Sequence, residues 1–365
     1  MISPKHFLAA TLAFAFLPGC GAEGGGASTP APKPDPAEIP YDTLSQYGFF
    51  SGNMADSKPA PGVIPYTVAA PLWSDGAGKE RFIVLPEGKK ATFGKDETWS
   101  LPDGTIIIKN FHFPLDAREP SGARRLIETR LLIRDEGEDE GWTAHTYVWN
   151  DEQTEARRTI AGKQVTVDFI DTQGKPASQQ YLVPNTNQCG NCHERDDRYE
   201  LLGLVTPQVN FDLPDAAGEK NQLARLAAAG MFDAALPPLA DLPRLPDPLG
   251  NAPLDERARA YLHANCSHCH RPGGGGGASG LVLLATETNP THYGVCKGSV
   301  AAGAGTGSHD YDIVPGMPDE SIMPFRMRST DPEIKMPEIP NLVPDDAGVE
   351  LITAWIAAMA PPGCP

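Results

Sequence analysis

CGNCH at residues 189–193 and CSHCH at residues 266–270 write one pattern twice in a chain with seven cysteines in all. Cysteines three positions apart fall on neighbouring positions of one helical turn, and a histidine directly after the second turns its ring toward the same side. Two thiols and an imidazole so placed can fasten a haem through two thioethers and hold its iron from one face. A zinc knuckle would need two further Cys or His ligands at matching spacing, and a redox dithiol has no need of the histidine. The repetition therefore predicts two covalently bound haem c groups ahead of zinc or dithiol chemistry. Cys189, Cys192, Cys266 and Cys269 are the attachment residues in this reading, and His193 and His270 the proximal ligands. His268, inside the second motif, reads as solvent-facing.

The ligand on the other face of each iron is less directly written. After the second motif stand Met317, Met323, Met327 and Met336. Met336 is followed by proline and lies shortly before the last helical stretch, where a loop methionine can cross the haem face opposite His270. Its thioether is a soft, neutral ligand that favours reduced iron; the other three read as packing residues. For the first motif the candidate is Met231, at the end of a predicted helix, although its setting, AAGMFD, suits a core position equally well. His112, His145 and His263 are alternatives, and an open position is another.

The elements that must hold these residues fall into three stretches. Residues 41–183 read as β-structure: IVLPEG, TIIIKNFHF, RLIETRLLIRD, WTAHTYVWND and QVTVDFID are rich in β-branched and aromatic residues and are separated by turn signals such as PDG. Regular strands and turns predict an antiparallel β-sandwich-like domain. Residues 184–250 hold the first motif, a helical stretch (219–232) and a proline-rich connector. Residues 251–365 begin with LDERARAYLHANC, pass a Gly-rich loop, RPGGGGGASG, and end in DDAGVELITAWIAAM. There Val349, Ile352, Trp355, Ile356 and Met359 form an apolar stripe at helical spacing. A helix carrying the cysteines, an irregular middle and an amphipathic last helix is the layout of a small cytochrome c domain. The expected class is multidomain α+β, with the β-domain followed by two small, mostly helical haem c regions.

The opening, MISPKHFLAATLAFAFLPGC, joins a charged start to an apolar run from Phe7 to Leu17 that is too short to span a bilayer. It reads as an export signal over residues 1–20. Leu-Pro-Gly-Cys resembles a bacterial lipobox, which makes Cys20 the expected lipidation site, with plain signal cleavage or an uncleaved anchor as alternatives. Residues 21–40, rich in Gly, Pro, Ala and Ser, read as a tether. The expected location is the periplasm or cell envelope, with membrane contact only through the lipid anchor. A net charge of −17 argues against nucleic acid as a partner.

Several phrases, APLWSDGAGKERFIVLP, RLIETRLLIRDEGEDEGWTAHTYVWNDEQTEA, YLVPNTNQCGNCH, RAYLHANCSHCHRPGG, GVCKGSVAAGAGTG and YDIVPGMPDESIMPFRMRSTDPEIKMPEI, together resemble a bacterial family of exported di-haem c-type cytochromes with an N-terminal β-domain. The resemblance runs from about Pro71 to Met359. It implies haem c binding and electron transfer, with the same four cysteines, His193 and His270 in their roles and Met336 of KMPEI as a distal ligand. Cys296 and Cys364 remain, and in an oxidising compartment they read as a disulfide or as two free thiols. The expected function is electron carriage between redox proteins of the cell envelope. A di-haem peroxidase or oxidase with an open first haem is the alternative, and a β-domain that binds a carbohydrate or protein is a weaker one.

Overall fold

The computed structural model describes residue 34 and residues 38–365, except 96–97, 138–140, 197, 215–217, 301 and 339–340. The expected leader, Cys20 and nearly all of the tether lie outside the described residues.

Six antiparallel strands in sequence order form the main sheet: β1 (Val63–Tyr66), β2 (Gly78–Val84), β3 (Ile106–Pro114), β4 (Arg124–Asp135), β5 (Gly141–Trp149) and β6 (Ala156–Thr159). β7 (Lys163–Ile170) and β8 (Pro176–Val183) make a separate hairpin. The run Ile106-Ile107-Ile108 is apolar without alternation because both faces of the sheet are covered. Phe82, Ile106, Ile108, Leu131 and Ile133 face Leu44, Tyr47 and Phe49 of the segment preceding β1. Ile83 and Ile107, on the other face, pack under Leu204, Val209, Leu223, Leu226 and Phe232. The β7–β8 hairpin covers a third patch through Val167, Tyr181 and Val183 against Phe111, Phe113 and Ile127.

The expected antiparallel sheet is therefore present, but its covering differs from a sandwich. Among the described residues the second layer is mostly chain from residues 201–242, with α2 (Thr206–Val209) and α3 (Gln222–Ala228), and only one hairpin of strand. That core crosses the boundary expected near residue 183, and the described residues fall within one compact unit. Before it come α1 (Thr186–His193) and the short strands β9 (Glu194–Arg195) and β10 (Arg198–Tyr199).

The last stretch is built on α4 (Leu254–Asn265), α5 (Ile322–Arg328) and α6 (Asp346–Ala357). Four of the five stripe residues are buried on α6, where Ile352, Trp355 and Ile356 pack with Ala258, Tyr261 and Leu262 of α4, while Met359 lies past the helix end and is half-buried. The helices approach closely at Gly348, where a Cβ would lie 2.2 Å from the Tyr261 hydroxyl. Trp355 Nε1 donates to Asp255 at 2.8 Å across the same contact. Cys296 and Cys364 are joined as a disulfide, closing a separation of 68 residues. No helix of the described residues is long and apolar enough to cross a membrane.

The phrase APLWSDG has a positional role that its sequence did not disclose. Trp73 donates its backbone N–H to Asn265 at the end of α4 (2.7 Å) and its indole N–H to the Val343 carbonyl (2.9 Å). Asp75 accepts the N–H groups of Leu342 and Val343 at 2.7 and 2.9 Å. This latch ties the chain just before β2 to the segment leading into α6.

Candidate functional site

Each motif is presented by its own local device. Ahead of the first, Asn185 and Gln188 form a capping box: each side chain takes the other's backbone N–H at 2.9 Å. α1 starts there and carries Cys189, Cys192 and His193 within its eight residues. The second motif differs from expectation, because α4 ends at Asn265 and the cysteines lie in the turn that follows. Cys269 and His270 both return their N–H groups to the Cys266 carbonyl (3.2 and 2.9 Å). The Gly-rich loop wraps this turn so tightly that a Cβ at 274 would lie 2.5 Å from the Cys269 carbonyl.

The protonation of both histidines follows from their partners. His193 Nδ1 lies 2.8 Å from the Glu200 carbonyl, which can only accept, so Nδ1 carries the hydrogen. His270 Nδ1 lies 3.0 Å from Ser279 Oγ, whose own hydrogen goes to the Gly276 carbonyl at 2.6 Å, so Nδ1 donates there too. In each ring Nε2 keeps its lone pair, the arrangement by which an outer hydrogen bond orients an iron-binding imidazole. Burial pushes both rings down to about 4, which keeps them neutral and able to ligate.

Two cavities open beside these rings. One of about 510 Å³ is lined by Cys266, Cys269 and His270 together with Met323, Met327 and Met336. The other, of about 570 Å³, is lined by Cys189 and His193. Both lie inside the roughly 300–1,000 Å³ of small-molecule and cofactor sites. Met336 thus shares a cavity with His270, as do Met323 and Met327, whereas Met317 is exposed.

Met231 does not meet its expectation. It is buried in the core under the sheet, its carbonyl accepts from Ala91 N–H at 2.8 Å, and it is not in the wall of the second cavity. The packing reading of AAGMFD prevails because the sheet face needs cover. Of the alternative histidines, His145 and His263 do line that cavity and His112 does not. His263 Nδ1 accepts the Ala285 N–H at 3.3 Å, which puts its hydrogen on Nε2. His145 is bonded through Nε2 to the Thr143 hydroxyl at 3.1 Å.

The motifs also meet each other. Cys192, His268 and Cys269 bring ligand atoms within 4.8 Å of one another, and Cys269 Sγ reaches the Asn191 carbonyl at 3.3 Å. The close approach of the two thiols pulls Cys192 down to about 4, with His268 acting in the same direction, and raises Cys269. His268 is half-buried at this junction and lines both cavities, so its solvent-facing reading is corrected. The sequence reading also missed a row of three cations, Arg81, Lys109 and Arg130, among the basic residues that line the wall beside His193. No single segment carried their signal, because β2 (GKERFIV) and β4 (RRLIETRLLIRD) hold other charges beside Arg81 and Arg130, and only strand register sets the three side by side.

No family model, no curated protein and no solved structure matches this chain.

Proposed function

We propose that the protein is a di-haem c-type cytochrome of the cell envelope that passes electrons between redox proteins. The observation that carries this reading is the paired one: each CxxCH histidine has Nδ1–H engaged and Nε2 free to bind, beside a cavity of cofactor size. Cys189 and Cys192 would hold one haem with His193, and Cys266 and Cys269 the other with His270 and Met336. When bound, haem iron supplies one-electron exchange between its ferric and ferrous states. The residues orient and join: the Glu200 carbonyl and the Ser279 hydroxyl fix the imidazoles, and the contact of Cys192 with Cys269 brings the two attachment points together. An acidic exterior, net −17, suits docking to basic partners. A lipid on Cys20 and the tether after it would keep the protein at the membrane.

The test is to express the full chain with a c-type maturation system and to measure haem per chain by pyridine haemochrome, with intact mass locating the thioethers. The expectation is two haems. A colourless chain that instead binds zinc through Cys192, His268 and Cys269 would sink the reading, since thioether formation consumes two of those three ligands.

A second reading, peroxide or oxygen chemistry at the first haem, is favoured by one observation. Among the described residues no methionine lines the cavity beside His193; of its two other candidate histidines, His145 has Nε2 bonded to the Thr143 hydroxyl, and His263 has Nδ1 accepting from Ala285 and so carries its hydrogen on Nε2. Carbon monoxide or peroxide that perturbs only the first haem selects this reading; two indifferent low-spin haems select the carrier.

A further inference from the structure

The sheet carries a row of like charges that its own packing does not explain. Arg81 on β2 stands directly opposite Lys109 on β3, and Lys109 directly opposite Arg130 on β4. Facing like charges in neighbouring strands are destabilising, and here all three line the cavity that also holds Cys189 and His193. Arg130 is compensated, since both its Nε and its Nη2 bond Glu128 at 2.9 and 2.6 Å, and Tyr181 supports that carboxylate. Arg81 and Lys109 have no carboxylate within ion-pair distance among the described residues. Lys109 has the face of Phe111 at 4.9 Å, a ring it shares with Arg130 at 4.3 Å. That contact offers a ring quadrupole and not a formal negative charge.

We propose that Arg81 and Lys109 are the counter-ions of the two propionates of a haem fastened to Cys189 and Cys192. Within this row of the sheet two cations lack a carboxylate among the described residues, the number of propionates on one haem, and Arg130 already has Glu128. The inference rests on the haem reading above and deepens it by giving the β-sheet a role as the charged wall of the first haem's cavity. Burial pushes both Arg81 and Lys109 below their ordinary values, a cost of desolvating the cations that a carboxylate placed beside them would offset.

The experiment compares the two-haem chain with a Cys189→Ala/Cys192→Ala chain, each with and without Lys109→Met or Arg81→Met, by thermal unfolding. Without the first haem, removing an unpaired buried cation should raise the melting temperature; with it, the same substitution should lower the melting temperature by stranding a propionate. The same sign in both backgrounds overturns the proposal. If the double-cysteine variant does not fold, the propionate-bending bands of the first haem in resonance Raman decide: they should move in Arg81→Gln and Lys109→Gln, and bands that stay overturn the proposal. Inorganic phosphate should not stabilise the two-haem chain, and a phosphate-dependent rise that Lys109→Met abolishes marks an anion site left open by haem, which also overturns it. Intact mass separates the two levels. A wild-type chain lacking haem at Cys189 and Cys192 removes the haem reading itself, whereas two haems with an unreversed sign remove only this inference.

Discussion

The two motifs differ by only two residues, Gly-Asn against Ser-His, yet their cavities are made of different matter. CSHCH opens on three methionines, with Leu281, Leu283 and Val349 among the walls. CGNCH opens on a sheet whose row of cations, Arg81, Lys109 and Arg130, replaces them. Attachment chemistry is local and can be copied, whereas the surroundings come from whatever the fold places opposite. The first iron would be tuned by charge and the second by a soft sulfur ligand.

The largest expected effect is to remove each half in turn. Cys189→Ser/Cys192→Ser and Cys266→Ser/Cys269→Ser should each halve the haem-to-protein ratio in a pyridine haemochrome assay. Only the second pair should also abolish the near-infrared sulfur-to-iron band. Loss of that band with the first pair would reverse the assignment of the cavities.

Met336→Ala sharpens the same contrast. It should remove the band and lower one of two reduction potentials in a spectroelectrochemical titration, while Met323→Ala and Met327→Ala leave the band in place. A band that survives Met336→Ala and disappears with Met323→Ala moves the ligand to α5.

The disulfide separates the cavities energetically. The loop between Cys296 and Cys364 contains Met336, α5 and α6, all on the CSHCH side. Closing 68 residues stabilises by about 4 kcal/mol in the chain-entropy picture. Cys296→Ala/Cys364→Ala should cost about that much in urea titration and loosen the methionine cavity first, seen as faster proteolysis after α5.

How much of this was legible depends on range. Both motifs are five consecutive residues, and the α6 stripe needs only one helix's periodicity, so both could be read directly. The pairing of Cys296 with Cys364 was one of two readings and needed the fold to bring them to a Cα separation of 5.4 Å. The cation row was out of reach because Arg81, Lys109 and Arg130 become neighbours only through strand register, which composition does not write. Met231 failed for a related reason: a methionine near the end of a helix is compatible with a ligand or a core, and only its packing against the buried sheet face of Ile83 and Ile107 decided between them. The limited second layer of strand, one hairpin among the described residues, has the same origin, since strand patterning reveals a covered face but not what covers it.

Asp75 offers the smallest test and the one closest to the boundary between the regions. Its carboxylate holds the N–H groups of Leu342 and Val343, residues that line the methionine cavity and not the cationic one. Asp75→Ala strands those donors and should cost about 1–3 kcal/mol, with the Met336 band shifted and the first haem's spectrum unchanged. Asp75→Asn keeps an acceptor in place and should cost less. Its pH dependence carries a sign. Burial raises the Asp75 carboxyl above its ordinary 3.8 in the folded protein, outweighing the two N–H bonds that lower it. The folded state therefore binds its proton more readily than the unfolded one, and that contribution to stability is full below 3.8 and disappears as pH rises through the raised folded value. Relative to Asp75→Asn, the wild type should gain stability on acidification through that window. A difference that runs the other way would mean that the ionised carboxylate, bound by Leu342 and Val343, is the form the latch prefers.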